Sequence, residues 1–206
     1  YYYLTVGNEN YAMLPMPAGE GVREGILRGL YRVRPTDRPA APLRAQLLGS
    51  GSILNEALKA QGILAERYGV AADVWSVTSY KELRRDGLET ERWNLLNPGQ
   101  PPRVPFFTTA LQDTAGAIVA ASDYVKALPD SIACWAPRPL ISLGTDGFGR
   151  SESRDRLRDF FEVDARYITL AALTSLAREG KLPTATVEQA MRDLEIDPNK
   201  PNPLRA

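Results

Sequence analysis

Four short apolar runs, each followed by a turn and then by residues at helical spacing, constrain this chain more than any other feature. They are LRAQLLG (43–49), ADVWSVTS (72–79), AIVAASD (117–123) and PLISLG (139–144). Parallel strands need crossover connections, and helices supply them and cover both faces of the sheet. The fold class expected is α/β: a mostly parallel four- or five-stranded sheet flanked by helices. Buried sheet positions are predicted at Leu47, Val74, Val77, Ile118, Val119, Ile141 and Leu143. A further strand is expected in the second half of GILRGLYRV (25–33), ahead of the proline-rich loop TDRPAAPL (36–43).

The helices are read from their apolar faces. Ile53, Ala57, Ala60, Leu64 and Tyr68 share one face, and Gly69 suits the stop. Residues 79–96 are helical in pattern, with a break expected at Gly87, and PGQPPRVP (98–105) is a turn-rich connection. YVKALPDSIACWA (124–136) has a helical pattern weakened by Pro129. SRDRLRDFF is a helix with Leu157, Phe160 and Phe161 inward, and ARYITLAALTSLAREG is another. In the last helix Thr186 and Gln189 are read as a capping box, and Val187, Ala190, Met191 and Leu194 as the apolar stripe. Trp75, Trp93 and Trp135 are core or interface anchors; the KELRRD run is a solvated helix face.

Composition removes several kinds of function. The 206 residues carry 25 Lys and Arg against 25 Asp and Glu. A balanced chain gives no electrostatic reason to expect nucleic acid or an anionic membrane as partner. No apolar run approaches the roughly 18 residues of a membrane span, and the N-terminus lacks the basic start and apolar stretch of a signal peptide. The chain has no histidine, so imidazole-based triads, imidazole metal sites and the commonest general base are excluded. Cys134 is the single cysteine. It permits no internal disulfide, fits a reducing cytoplasm and is expected to be a small buried hydrophobe. No clustered Asp/Glu motif supports a Mg²⁺ site.

Two loops imitate phosphate cradles. Gly49-Ser50-Gly51 follows a strand and opens a helix, but the third small residue of a dinucleotide fingerprint is replaced by Leu54. The next strand ends in Thr78 and Ser79 rather than an acid. The plain reading is a βα turn, although the amides of Gly51 and Ser52 stand where a helix start can hold an anion. The second loop, GTDGFGRS (144–151), matches G-x-x-x-x-G-K-[ST] except that Arg150 replaces Lys. Arg is planar and bulkier than the lysine such a loop uses, Asp146 would oppose a polyphosphate, and the loop follows the last strand rather than the first. It reads as a tight turn with Ser151 or Ser153 as N-cap.

At these residues the chain resembles a known family. LLGSGSIL, DVWSVTSYKELRRDG, ERWN, ASDY and above all GTDGFGRSESRDRLRDFFEVDARYI are similar to the C-terminal domain of homodimeric, thiamine-dependent bacterial pyruvate dehydrogenase first components. That domain is itself like the third domain of transketolase. The opening YYYLTVGNENYAMLPMP looks like the end of the family's middle domain and its linker, and NPLRA like its C-terminus. The resemblance implies a fragment, with residues 1–19 closing a preceding domain and 20–206 forming the transketolase-like C-terminal α/β domain. The extended run Tyr1 to Val6, with its three leading tyrosines, would be a strand separated from its sheet; Pro15 and Pro17 bar a helix after it.

The resemblance also implies a parent oxidoreductase that decarboxylates pyruvate and reductively acetylates lipoyl groups. Its thiamine diphosphate, Mg²⁺, catalytic histidines and activating glutamate belong to the preceding domains. No catalytic, cofactor or metal motif of the family matches a position here, so no such residue is expected in this fragment. The fragment would be inactive alone and would serve as scaffold, dimer interface and contact in complex assembly, with the dihydrolipoyl acetyltransferase core as one partner. Asp146, Phe148 and Arg150 are the interface candidates: an apolar tip between two polar arms, docked on the catalytic domains or the second subunit. The competing reading folds Phe148 into the core and leaves the charges bracing the turn. Two rival functions remain at this stage: an independent α/β domain that binds a nucleotide or small anion at Gly51/Ser52 or the 144–151 loop, and a pure interaction module.

Overall fold

The computed structural model describes residues 9–11 and 14–206. Five strands form one sheet: β1 (Leu30–Arg34), β2 (Arg44–Gly49), β3 (Ala71–Val77), β4 (Ala117–Ala121) and β5 (Leu140–Leu143), in the order β1-β3-β2-β4-β5. β2 pairs in parallel with β3 and β4, and β4 with β5; β1 alone runs antiparallel, on β3. Among the described residues eight α-helices surround the sheet: α1 (Val22–Arg28), α2 (Leu54–Tyr68), α3 (Tyr80–Leu96), α4 (Phe106–Leu111), α5 (Ala127–Asp130), α6 (Arg154–Phe160), α7 (Ala165–Arg178) and α8 (Thr184–Asp193).

Alternating side chains divide the core into two layers. Leu47, Val74 and Val119 face a layer completed by Ala57, Ala60 and Leu64 of α2 and by Ile168, Ala172, Leu173 and Leu176 of α7. Leu48, Trp75 and Ile118 face the other side, against Tyr80 and Leu83 of α3 and Phe107 and Leu111 of α4. Strands buried on both faces lose polar alternation, and β3 and β4 are buried at every position.

Polar groups set the register at the amino ends of the strands. Gln46 of β2 lies opposite Asp73 of β3. The Asp73 carboxylate accepts from Arg44 Nη2 at 2.9 Å, Gln46 Nε2 at 3.2 Å and the Thr36 amide at 2.9 Å. Gln46 Oε1 accepts from Trp75 Nε1 at 2.8 Å, and its Nε2 also donates to the Ala115 carbonyl at 3.0 Å. One buried acid thus fastens the loop after β1, both central strands and the entry to β4.

Several expectations need correction. Leu47, Val74, Val77, Ile118 and Val119 are buried, but Ile141 and Leu143 are only partly so. They lie on β5, which pairs with β4 alone and forms a sheet edge. Helix α3 runs unbroken through Gly87. A Cβ there would come within 2.5 Å of the Trp135 ring, so the glycine serves close packing rather than a break. Thr186 and Gln189 form no capping box, because Pro183 is the N-cap of α8 and Thr186 lies inside the helix. Gln189 instead donates to Asp193 and accepts from Arg192. The 124–136 segment holds only the single turn α5 and a 3₁₀ turn, Ala133–Trp135. In that tight turn Ile132 and Trp135 both point inward, three residues apart, and Cys134 is left exposed rather than buried. Helices α1 and α4 are additions to the elements expected from the sequence. The strand read over Tyr1 to Val6 lies outside the described residues.

Two stability measurements test this packing. Asp73→Ala removes the carboxylate that Arg44, Gln46 and the Thr36 amide share and is expected to cost about 3–5 kcal/mol in urea unfolding; a loss of less than about 1 kcal/mol would remove the network from its organising place. Gly87→Ala separates two accounts by sign. As an ordinary helix position it would stabilise by roughly 1 kcal/mol, but against Trp135 it is expected to destabilise by about 1–3 kcal/mol.

Candidate functional site

Order reverses in the middle of the sheet. From β2 the chain moves to β3 on one side, then crosses to β4 on the other. In open parallel sheets the crevice beyond the carboxyl ends at such a switch is where ligands bind. Both phosphate-like loops of the sequence converge there. Ser50, extended at φ −120°, ends β2 and turns the chain into a short 3₁₀ segment before α2. Its Oγ donates to Ser122 Oγ at 2.9 Å, and its amide donates to the Ala121 carbonyl at 3.3 Å. Ser122 Oγ also accepts from the Tyr124 amide at 3.1 Å. The crevice is thus closed by two buried serines bonded to each other.

Beyond them lies a cleft of about 250 Å³, lined by Ser52, Asp123, Thr145, Arg150, Arg154 and Arg158 over an apolar floor that includes Leu157 and Phe161. Its charges are committed within the chain. Arg158 donates to Glu56 at 3.2 Å and to the Tyr11 hydroxyl at 3.0 Å. Glu56 is buried and accepts also from Lys59 and the Ala165 amide. Arg154 pairs with Glu9 at 3.2 Å. Residues 9–11 are therefore held on α6 by two arginines. At the mouth Ser52 Oγ donates to Asp123 Oδ2 at 3.4 Å, and the open side of Gly51 faces Asp123 Oδ1. A carboxylate already stands where the Gly51/Ser52 turn would meet an anion, which disfavours phosphate. Among the described residues no three Cys, Asp or Glu side chains gather as a metal site.

The 144–151 loop forms the far rim. Ser153 takes the N-cap position of α6 but makes no side-chain cap bond. Asp146 Oδ1 accepts from the Lys126 amide at 3.0 Å, which ties the loop to the turn after β4. The Thr145 amide donates to the Tyr124 carbonyl at 2.9 Å and strengthens the tie. Arg150 lies over the Phe160 ring at 5.1 Å and donates to the Ala206 carbonyl. Gly147, at φ +98°, lets Pro203 pack so close that a Cβ would sit 2.5 Å from its carbonyl oxygen. The two charges thus brace the loop, and Phe148 projects from it, 84% exposed.

Sequence reasoning named this tip but missed its neighbours. Tyr124 and Val125, on the hydrogen-bonded turn beside it, are 56% and 49% exposed. Their signal was available: two large apolar side chains directly after the polar Ser122-Asp123 strand end, in a stretch too disrupted by Pro129 to bury them in a long helix.

Comparison with known proteins agrees with this architecture. The pyruvate dehydrogenase E1 component of Pseudomonas aeruginosa is 47% identical over 205 residues, covering 99% of this chain and 23% of that protein. The corresponding protein of Escherichia coli is 46% identical over 207 residues, covering 100% of this chain and 23% of its own length. The chain therefore spans less than a quarter of these curated relatives, to which it is homologous. A crystal structure of a Pichia stipitis transketolase mutant in complex with xylulose 5-phosphate matches 82% of this chain and 21% of its own, with a TM-score of 0.50 at 18% identity, a likeness of fold alone. A family model described as the transketolase-like TK C-terminal domain matches residues 29–164. With its five-stranded, mostly parallel sheet and a match over more than half its length, the chain belongs to the family of transketolase-like TK C-terminal domains.

Proposed function

We propose that this chain is the C-terminal, non-catalytic domain of a thiamine-dependent pyruvate dehydrogenase E1 component and acts as scaffold and docking surface for the rest of that enzyme. The observation that carries the reading is identity of 46–47% over essentially the whole chain to proteins of that name. The parent would decarboxylate pyruvate and reductively acetylate lipoyl groups in the cytoplasm, as a homodimer using thiamine diphosphate and Mg²⁺. Thiamine diphosphate, when bound, supplies the electron sink for decarboxylation.

The residues of this chain do not fit that cofactor. The edge cleft offers one carboxylate, Asp123, which Ser52 already engages, and its Arg158 is held by buried Glu56. A diphosphate with its metal needs several free oxygen ligands and free cations. The chain's contribution is therefore mechanical: it holds a shaped edge against the domains that carry the chemistry.

Phe148, Tyr124 and Val125 form the apolar part of that edge, and Asp146 and Arg150 keep the loop in place. The occupant in this reading is the remainder of the parent polypeptide or its second copy, since the relatives are more than four times as long as this chain. Exposed aromatics beside charges suit such contacts. The acetyltransferase core is a further partner of the assembled enzyme.

Phe148→Ala and Tyr124→Ala are expected to weaken dimer association or pyruvate turnover of the full-length enzyme by about tenfold or more, roughly 1.4 kcal/mol. The same changes should leave the melting of the 206-residue chain within about 0.5 kcal/mol. Equal losses of stability in the isolated chain, without an added effect on assembly, would contradict the docking role. Pyruvate turnover by the isolated chain with thiamine diphosphate and Mg²⁺ would contradict the non-catalytic one.

A further inference from the structure

Phe148 stands between two glycines, Gly147 and Gly149. Glycine leaves the backbone freest, so a ring on such a tip has no local reason to keep one direction. On one side the loop is tied to the turn after β4 through Thr145 and Asp146. On the other side it meets the segment after α8, which passes over the end of α6 to reach Gly147 and Arg150.

Lys200 anchors this segment. Its side chain is 17% exposed. Nζ donates to the Asp159 carbonyl of α6 and, at 3.2 Å, to the Tyr167 hydroxyl of α7. The carboxylates of Asp159 and Glu162 each lie 4.0 Å from it, and the ammonium sits 4.9 Å from the centre of the Tyr167 ring. A largely enclosed ammonium with two acceptors, two acids and an aromatic face is a fixed point rather than a solvated surface charge.

Beyond the anchor the segment turns on itself. Asn202 Oδ1 accepts from the Leu204 amide at 2.9 Å, and the Asn202 carbonyl accepts from the Arg205 amide at 2.9 Å. The turn sets Pro203 against Gly147 and puts the Ala206 carbonyl where Arg150 donates to it. Arg150 in turn lies over the ring of Phe160, next in sequence to the Asp159 that Lys200 holds. The segment buries little of itself, since Pro201, Asn202, Leu204, Arg205 and Ala206 are all exposed. Core burial therefore does not account for its path; its contacts with α6, α7 and the loop do.

We propose that residues 200–206 are a positioning strut for the docking loop, with Lys200 as its foot, and that they act on assembly through the direction they give Phe148. The use in assembly rests on the docking reading above, whereas the strut itself is a property of the 206 residues. Lys200 and Asn202 are thus positioning residues rather than contacts of the interface.

Backbone amide relaxation in the 206-residue chain reads the strut without the parent. Phe148 and Gly149 are expected to show order parameters of about 0.8, falling below about 0.6 in Lys200→Ala and in Asn202→Ala. The melting temperature should fall by no more than about 3 °C. Asn202 is exposed, so its variant decides the matter if Lys200→Ala disturbs folding. In the full-length parent a double-mutant cycle separates positioning from contact. Lys200→Ala is expected to weaken dimer association or pyruvate turnover, whichever Phe148→Ala weakens, by about fivefold. Added to Phe148→Ala it should weaken it by less than about twofold more, because both act through one ring. Unchanged order parameters in both variants would overturn the proposal, as would effects of Lys200→Ala and Phe148→Ala that multiply in the parent. A loosened loop in the variants, alongside a parent indifferent to Phe148→Ala, would support the strut and overturn the docking reading with its assembly role.

Discussion

The buried Asp73 carboxylate is the constraint on which the sheet depends. Its side chain is 3% exposed and that of Arg44 15%, so both charges have left bulk water. A buried charge is tolerable only when its lone pairs are filled. Asp73 fills them from three places distant in sequence: Thr36, Arg44 and Gln46. Because Gln46 and Asp73 are opposite residues in the ladder, any slip of β2 on β3 breaks the set. Apolar packing alone specifies register weakly here, since both faces of these strands are buried. The polar lock at the amino ends supplies what the apolar runs do not.

With one end fixed, the carboxyl ends are free to carry loops. The reversal between β2 and β4 opens a crevice, and this chain closes it with Ser50 and Ser122. The remaining cleft is occupied by internal ion pairs, those of Arg158 with Glu56 and Arg154 with Glu9. In the proposed reading this edge serves as a platform for docking. The platform supports the loop pair 122–126 and 144–151, whose mutual hydrogen bonds present Phe148, Tyr124 and Val125 outward.

Much of the architecture could be read from the sequence. The four apolar runs are adjacent strands β3-β2-β4-β5, and Ala57, Ala60 and Leu64 of the face read for α2 are buried. What could not be read depended on partners distant in the chain. Gly87 reads as a helix breaker until Trp135 is placed 48 positions later against it. Ile141 and Leu143 look like core until the strand order puts β5 at an edge. The Thr186–Gln189 spacing fits a capping box, yet Pro183 starts the helix earlier. At the candidate site, Arg150 and Asp146 of GTDGFGRS depart from the phosphate-loop pattern that the spacing imitates. The bracing bonds of those residues, to the Ala206 carbonyl and the Lys126 amide, involve positions that no local pattern connects.

The central claim is that this domain works by presenting its carboxyl edge to the larger enzyme. Amide hydrogen exchange, compared between the 206-residue chain and the full-length parent, tests it most directly. The account predicts added protection in the parent at residues 123–126 and 145–149, with α2, α7 and the central strands unchanged because their exchange already follows global unfolding. Identical exchange of those two loops in both proteins, or added protection confined to other surfaces, would contradict it.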